Sequence, residues 1–324
     1  MMNNFLITES ENYSSKAISL YKKLGNVFYL NNYSPELITT LVVRLTYRID
    51  SVFLKSFINL KYILSPTTGI NHIDSSFCEE NNIEIISLRG EFEFLQKINA
   101  TPEFTFALLL TMVKNIYSSS FDARNLGILN LDRLNYLSKE FNEIKVGIAG
   151  YGRVGKKIHQ YCEKLGIDVK IFDPYLNQAN INHLKVNKET DVFRFLNSID
   201  VLLICISYNE ANVNYFSVEK LNQLNPGCIV INTSRGEVLD ENALIDLLSQ
   251  GKIKAAALDV LSLENIKNIA LLEKVMNYVK NHNNLILTPH IAGASQQSMH
   301  LTEVFIANKF KKIISNHEIN LSSN

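Results

Sequence analysis

Three side chains with complementary chemistry follow apolar, strand-like runs in the second half of the chain. Arg235 comes after CIVINT, Glu264 lies five residues after Asp259 in LDVLSLE, and His290 closes LTPH. An arginine can hold a carboxylate with two parallel hydrogen bonds and stays charged at any working pH. A histidine beside a carboxylate can give a proton to an oxygen or remove one. Each residue alone is also typical of a solvated surface, but together they suit the interconversion of a 2-keto acid and a 2-hydroxy acid.

A glycine-rich loop supplies a second chemical signal. GYGRVG at 150–155 follows the apolar strand KVGIA and opens a helix that we expect to end near Leu165. In such a loop the first glycine makes the tight turn, the second admits a pyrophosphate, and the third lets helix and strand pack closely. Asp173, 23 positions after Gly150 (173 − 150), can accept hydrogen bonds from ribose hydroxyls and repel a 2′-phosphate. The pattern predicts an NAD site; Lys170 could soften the preference over NADP, and a glycine-rich turn in another α/β protein is the alternative.

Two alternating series of strands and helices would position these residues. Short β-rich runs alternate with helix-like stretches over residues 4–88, and six apolar strands do the same over 145–288. This is the pattern of parallel sheets in an α/β protein, so we expect two doubly wound domains. They would be a flavodoxin-like substrate domain and an NAD-binding Rossmann domain. The predicted limits are 1–99 with 292–324 for the first domain and 100–291 for the second.

Two apolar helices should connect the domains. The helix predicted over 102–117 is too apolar to face water on all sides. It would cross into the second domain, either within a subunit interface or as a plain core helix. The helical spacing over 294–314 predicts a return to the first domain.

Composition excludes several classes of partner. The 324 residues, 46% of them hydrophobic, exceed the usual size of one domain, which favours two domains with a cleft between them. The 32 basic side chains balance 32 acidic ones, which argues against nucleic-acid binding and favours a small-molecule ligand. No stretch approaches the roughly 20 apolar residues of a membrane span, and no signal-peptide pattern begins the chain, so a soluble protein is expected. Four scattered cysteines without a C-x-x-C pair are typical of buried cytosolic thiols, not of a disulfide framework or a metal site.

Several segments, in this order, resemble the D-isomer-specific 2-hydroxyacid dehydrogenase family over nearly the whole chain, and most closely its phosphoglycerate-dehydrogenase-like members. Because independent motifs occur in the family's order, the resemblance is specific. It rests on SPTTGINHID (65–74), ATPEFTFALLL (100–110), VGIAGYGRVG (146–155), FDPY (172–175), NPGCIVINTSRGEVLDENAL (225–244), AAALDV with Glu264, and TPHIAG (288–293).

The resemblance implies a role for each matching residue. Arg235, Glu264 and His290 correspond to the family's catalytic residues. The loop from Ser65 to Gly69 corresponds to the one that holds the substrate carboxylate. Substrate contacts would then be Thr68, Gly69 and Arg235, with Arg44 as a reader of a second anionic group or, equally, a structural ion pair. The residues lining NAD would be Gly150, Tyr151, Gly152, Arg153, Val154, Gly155, Asp173, Ile206, Thr233, Ser234, Asp259 and Gly293, with Asp259 near the nicotinamide amide.

Departures from the family pattern lie near the cofactor and could shift its affinity or the preference for it, but they leave the three catalytic residues unchanged. Cys205 and Ser207 stand where the family usually has histidine and proline, close to the cofactor, and Asn265 follows Glu264 where proline is common.

A non-catalytic NAD-sensing protein with this fold is one alternative function, although the catalytic residues are all present. A dehydrogenase of an unusual substrate such as phosphite or formate is another, and Glu264 speaks against formate. The resemblance also suggests a homodimer built around the 102–117 helix and the second domain.

Overall fold

The computed structural model describes residues 3–176, 187–262 and 268–322, without the side chains of Asn187 and of 317–322. The chain folds as two compact units, one made of residues 1–98 with 294–324 and the other of residues 99–293. The limits predicted from the sequence lie one or two residues from these.

All strands of the described residues run parallel to their neighbours. The strands are β1 (Asn3–Ile7), β2 (Gly25–Tyr29), β3 (Thr40–Val42), β4 (Tyr62–Leu64), β5 (Glu84–Ile86), β6 (Lys145–Ala149), β7 (Asp168–Phe172), β8 (Asn187–Glu189), β9 (Val201–Ile204), β10 (Cys228–Asn232), β11 (Ile253–Leu258) and β12 (Leu285–Leu287). The helices are α1 (Ser15–Leu24), α2 (Ser51–Leu54), α3 (Ser75–Glu80), α4 (Phe92–Leu95), α5 (Ala100–Val113), α6 (Ile116–Leu126), α7 (Arg153–Lys164), α8 (Val192–Leu196), α9 (Val218–Leu221), α10 (Glu241–Ser249), α11 (Ile269–Asn281) and α12 (Gln296–Ser322).

The first unit is built on a five-stranded sheet in the order β2-β1-β3-β4-β5. Successive strand residues point to opposite faces, and both faces are apolar because helices cover both. Phe5 and Ile7 join the core under α1 and α12, whereas Leu6 joins the core on the other face. The order is the flavodoxin-like arrangement expected from the sequence.

The second unit holds a seven-stranded sheet in the order β12-β11-β10-β9-β6-β7-β8. Its strands again alternate between two cores: Val201 and Leu203 lie in one, Leu202 and Ile204 in the other. Every one of these four side chains is at most 1% exposed. This is a doubly wound Rossmann sheet, so the predicted fold class is confirmed.

Several elements differ from those predicted from the sequence. The helix predicted over 102–117 ends at Val113, because Asn115 takes a left-handed conformation with φ of 53° and donates from Nδ2 to two loop carbonyl oxygens. Strand β8 was not predicted, since its sequence NKE has no apolar alternation. The last helix, predicted over 294–314, continues to Ser322. No helix in the described part of the chain is long and apolar enough to cross a membrane.

Candidate active site

Arg235 and His290, two of the three predicted catalytic residues, lie beyond the carboxyl ends of strands in one sheet. Arg235 follows β10 and His290 follows β12, and a single strand, β11, separates these two. Strand ends two places apart are roughly 10 Å from each other. Both side chains are partly exposed. Glu264, the third, lies outside the described residues, which omit 263–267.

The loop that carries Arg235 is held from inside the sheet by Asn232. The Asn232 Nδ2 donates to the Arg235 carbonyl oxygen at 2.9 Å, while Oδ1 accepts from the Ser234 N–H at 3.0 Å and from its hydroxyl at 2.8 Å. The Arg235 guanidinium donates from Nη1 to the Ser234 carbonyl oxygen at 2.6 Å. The main chain on both sides of Arg235 is therefore fixed by a buried amide.

The residue after Arg235 packs directly on the loop that follows β11. A Cβ placed on Gly236 would overlap the backbone at Leu261 and Ser262, so no larger residue fits there. On its far side this backbone is held by Glu241, 2% exposed, whose carboxylate accepts from the Ser262 N–H and from its hydroxyl, both at 2.7 Å. The loops after β10 and β11 thus form one close-packed layer.

The loop that carries His290 is organised by the buried carboxylate of Asp259. That carboxylate accepts from the Thr288 hydroxyl at 2.6 Å and from the N–H groups of Ile291 at 2.9 Å and Ala292 at 2.8 Å. The His290 N–H donates to the Asp259 carbonyl oxygen at 2.9 Å. His290 itself has a φ of 54°, a left-handed conformation that persists in a non-glycine residue only where its surroundings impose it. Asp259, predicted as a cofactor contact, therefore also shapes the histidine loop.

The glycine loop has the geometry that its pattern requires. Gly150 has a φ of 95°, and a Cβ there would lie 2.8 Å from the Cys205 carbonyl group. A Cβ on Gly155 would overlap the Gly150 carbonyl oxygen, whereas a Cβ on Gly152 would meet nothing within 4 Å. No side chain caps the start of α7. Open space over Gly152 beside an uncapped helix N-terminus fits a dinucleotide pyrophosphate.

Asp173, the predicted ribose ligand, is fixed by main-chain donors on both sides. Its Oδ2 accepts from the Tyr151 N–H at 2.8 Å and its Oδ1 from the Tyr175 N–H at 2.9 Å. A carboxylate can accept about four hydrogen bonds. The remaining lone pairs can therefore accept from ribose hydroxyls, which fits an adenosine bound at this edge.

Tyr151 also ties the glycine loop to α7. Its hydroxyl lies 2.6 Å from His159 Nδ1, and both residues are buried. Burial lowers the pKa of His159, an effect partly opposed by Glu163, and burial likewise raises the pKa of Tyr151. Burial also lowers the pKa of Arg153, in the first turn of α7.

Other predicted cofactor residues surround the same strand ends. The Thr233 hydroxyl lies 2.6 Å from that of Thr105, so it is tied to α5. Ile206 and Val154 pack at the edges of the two cores, and Gly293 lies just after the histidine loop.

In the first unit, the predicted substrate loop is braced by its own hydroxyl groups. Ser65 and Thr67 hydroxyls lie 2.8 Å apart, and the Thr67 hydroxyl donates to the Gly69 carbonyl oxygen at 2.7 Å. Thr68 between them is exposed. The loop therefore presents Thr68 and Gly69 on a rigid turn.

Arg44 is engaged within its own unit. Its guanidinium forms an ion pair with Glu303, whose side chain is fully buried. The guanidinium also donates to the Glu11 carbonyl oxygen at 3.1 Å and lies 4.7 Å from the centre of the Tyr13 ring. The sequence left open whether Arg44 binds a second anionic group or forms a structural ion pair, and the structure contains the ion pair.

The sequence analysis missed three polar residues that support the loops of the site, two of them buried. Asn232, Glu241 and Thr288 each hold a loop that carries or adjoins a predicted catalytic residue. The only signal in the sequence was a polar residue closing an apolar strand, as Asn232 does in CIVIN. Within the described ranges, no group of three or more histidine, cysteine or acidic residues could hold a metal ion.

A family model decides which proteins this chain is related to. The model of the D-isomer specific 2-hydroxyacid dehydrogenase, NAD binding domain, matches residues 106–292, or 187 of 324 residues (292 − 106 + 1). The chain belongs to the D-isomer-specific 2-hydroxyacid dehydrogenases. This dehydrogenase is accordingly an oxidoreductase that uses NAD, and the predictions of family, enzyme class and cofactor are confirmed.

Individual relatives are distant. The dehydrogenase is 24% identical over 278 residues to a Staphylococcus epidermidis protein with a provisional 2-hydroxyacid dehydrogenase name, covering 86% of this chain and 83% of that protein. It is 26% identical over 287 residues to the D-3-phosphoglycerate dehydrogenase of Archaeoglobus fulgidus, covering 87% of this chain but 51% of that protein. The solved D-lactate dehydrogenase from Aquifex aeolicus, in complex with NAD and lactic acid, superposes with a TM-score of 0.79 at 20% identity, covering 99% of this chain and 98% of that one. The structural likeness shows a shared fold.

Proposed function

We propose that this dehydrogenase interconverts a small D-2-hydroxy acid and its 2-keto acid, as a phosphoglycerate-dehydrogenase-like enzyme with Arg235, Glu264 and His290 as catalytic residues. One observation carries the proposal. Arg235 and His290 follow strands two places apart in one sheet, and a buried polar side chain fixes the loop of each. Glu264 enters through the family resemblance.

The side chains divide the work of reducing a 2-keto acid. Bound NADH supplies the hydride. Arg235 holds the substrate carboxylate with its planar guanidinium and polarises the neighbouring carbonyl group. His290 donates the proton that the reacting oxygen needs, and in the reverse direction it removes this proton. Glu264 orients the imidazole and favours its charged form.

The remaining predicted contacts serve binding. We propose that the glycine loop and the start of α7 hold the pyrophosphate and that Asp173 accepts hydrogen bonds from the adenosine ribose. Thr68 and Gly69 would meet the substrate carboxylate through their N–H groups. The role of Arg44 as a contact for a second anionic group of the substrate remains a prediction. Its pairing with Glu303 supports the alternative, a structural ion pair.

The test is NADH oxidation by the purified protein against glyoxylate, hydroxypyruvate, pyruvate and 3-phosphohydroxypyruvate, with the His290→Ala variant in parallel. We expect turnover of at least one 2-keto acid, lost in the variant. Binding of NADH without turnover across the panel would overturn the proposal in favour of an NAD-sensing protein or a dehydrogenase of an unusual substrate.

We also propose that the enzyme is a homodimer. Helix α5 is largely buried within its own unit, whereas the segment 126–137, which begins at the last residue of α6, carries exposed apolar side chains. A cluster of exposed apolar side chains of this kind marks an interaction surface. Sedimentation at micromolar concentration should give a dimer, and Leu129→Asp should give a monomer; a monomeric wild type would contradict the proposal. The exposed apolar side chains of the segment 126–137, each at least 59% exposed, are Leu126, Ile128, Leu129, Leu134 and Leu137.

A cytosolic location is part of the same proposal. Burial raises the pKa of Cys78 to about 11 and that of Cys162 and Cys228 to about 12. Such thiols stay protonated at neutral pH and react poorly. They are typical core cysteines of a reducing compartment.

A further inference from the structure

Asn232 has a fully buried side-chain amide that can take only one of its two flipped orientations. Its exposed fraction is 0%. The Ser234 N–H can only donate and the Arg235 carbonyl oxygen can only accept, so Oδ1 must face the former and Nδ2 the latter. The side chain therefore spans its own loop in a defined direction.

These contacts converge on the peptide group that joins Ser234 to Arg235. Asn232 holds the N–H of Ser234 on one side of that peptide and the carbonyl oxygen of Arg235 on the other. The carbonyl oxygen of Ser234, which belongs to the peptide between Ser234 and Arg235, accepts from the Arg235 guanidinium at 2.6 Å. Asn232 thus fixes both the main chain from which the arginine side chain departs and the oxygen on which its guanidinium rests.

The opposite side of the loop is closed as well. Gly236 packs on the backbone of Leu261 and Ser262 without room for a Cβ, and Glu241 holds Ser262 by two hydrogen bonds. The loop cannot shift outward without breaking this packing. Loss of the amide contacts would instead let the peptide between Ser234 and Arg235 rotate.

We propose that Asn232 is a positioning residue, which holds Arg235 so that the guanidinium meets the substrate carboxylate. The inference rests on the proposed function of Arg235. Asn232 itself acts only through the arginine. A misplacement on the order of 1 Å in such a group can lower turnover by about 10²-fold.

The test compares the same isosteric change at the two ends of one strand. Asn232→Asp replaces the Nδ2 donor by an oxygen that repels the Arg235 carbonyl oxygen. Asn225, just before β10, likewise donates from Nδ2 to a main-chain carbonyl oxygen, that of Ile199 at 3.3 Å, so Asn225→Asp is the matched control. For Asn232→Asp we expect kcat/KM for the 2-keto acid to fall by about 10²-fold with a raised KM. Asn225→Asp should stay within about twofold of wild type.

Two readouts separate positioning from general loss of structure. The affinity of the NADH-bound enzyme for oxamate, an unreactive 2-keto acid analogue, should fall with kcat/KM in Asn232→Asp, while the Kd for NADH alone stays within about threefold of wild type. In an Arg235→Lys background, Asn232→Asp should cost less than about threefold further, because the two changes act through one side chain. Should Asn232→Asp not fold, Asn232→Ser, which brings no charge into the core, is measured with the same expectations.

The outcomes distinguish the two proposals. If Arg235→Lys leaves activity unchanged, the role proposed for Arg235 is wrong. If Arg235→Lys lowers activity but Asn232→Asp does not, or if the two losses multiply in full, the positioning role alone is overturned. An equal loss of NADH and oxamate affinity would show that the whole loop had moved, and would also overturn it.

Discussion

Two arginines follow strands at the carboxyl edges of the two sheets, and they are held in opposite ways. In the first unit, the side chain of Arg44 is held: its guanidinium meets the fully buried carboxylate of Glu303 and lies over an aromatic ring. In the second unit, the main chain around Arg235 is held by the uncharged amide of Asn232.

The difference shows how a fold can use the same residue type in two ways. The guanidinium of Arg44 stabilises the fold, since its removal would leave the buried carboxylate of Glu303 without its ion pair, at a cost on the order of 3–5 kcal/mol. Holding the main chain fixes where a side chain starts without drawing on its charge. An arginine at a strand end is therefore not by itself evidence of catalysis.

The largest expected effect comes from His290, the proposed proton donor. His290→Ala should lower kcat by roughly 10²–10⁴-fold, because the variant lacks the side chain proposed to donate the proton to the reacting oxygen. NADH binding, measured by fluorescence titration, should survive, since the pyrophosphate and ribose contacts lie elsewhere. Loss of NADH binding would count against the catalytic assignment and would indicate that His290 is instead a cofactor contact.

The next effect tests the two arginines directly. Arg235→Lys should lower kcat/KM by about 10²-fold, because lysine cannot form the two-pronged contact with a carboxylate. Arg44→Lys can keep its ion pair with Glu303 and should change kcat/KM by less than about threefold. Equal losses of kcat/KM in the two variants would show that the two arginines do not differ in their importance for turnover. A KM raised in Arg44→Lys only for substrates with a second anionic group would restore Arg44 as a substrate contact.

Asp173 should give a smaller effect, confined to the cofactor. Asp173→Ala removes acceptors for the ribose hydroxyls and the repulsion of a 2′-phosphate, so the Kd for NADH should rise by about tenfold while that for NADPH falls. Titrating both cofactors measures the change. Unchanged discrimination would show that Asp173 is not the ribose ligand.

The smallest effect is a pH dependence of stability at His159. Burial lowers the pKa of His159 in the folded protein, whereas the unfolded chain has a pKa of about 6.5. The unfolded chain therefore binds the extra proton first, so this contribution to the free energy of unfolding is complete above about pH 6.5 and decreases as the pH falls toward the folded pKa. Urea midpoints at pH 7.5 and pH 5.5 should differ more in wild type than in His159→Gln. An equal difference would remove this histidine as the cause.

The parts of the fold that follow from local pattern were predictable. Apolar runs marked the strands of both sheets except β8, and the spacing of Gly150, Gly152 and Gly155 marked the cofactor loop, where Gly150 and Gly155 leave no room for a Cβ. Chain order then placed Arg235 and His290 at one sheet edge. These features depend on neighbours close in the sequence.

The parts that depend on distant partners were not predictable. Arg44 pairs with Glu303, 259 positions along the chain, and no spacing rule connects them. Helix α5 ends early because Asn115 bonds to carbonyl groups more than twenty residues away. Asn232 looks like any polar residue after a strand until its burial and its three hydrogen bonds are known.

The left-handed backbone of His290 sets chemistry and durability against each other at one position. Glycine adopts that conformation at no steric cost, whereas an imidazole-bearing residue does not. Glycine has no side chain to transfer a proton, and the hydrogen bonds that the Asp259 carboxylate accepts around the loop offset the cost of the left-handed conformation. On the function proposed for His290, the site accepts this backbone strain in exchange for a side chain that can transfer a proton.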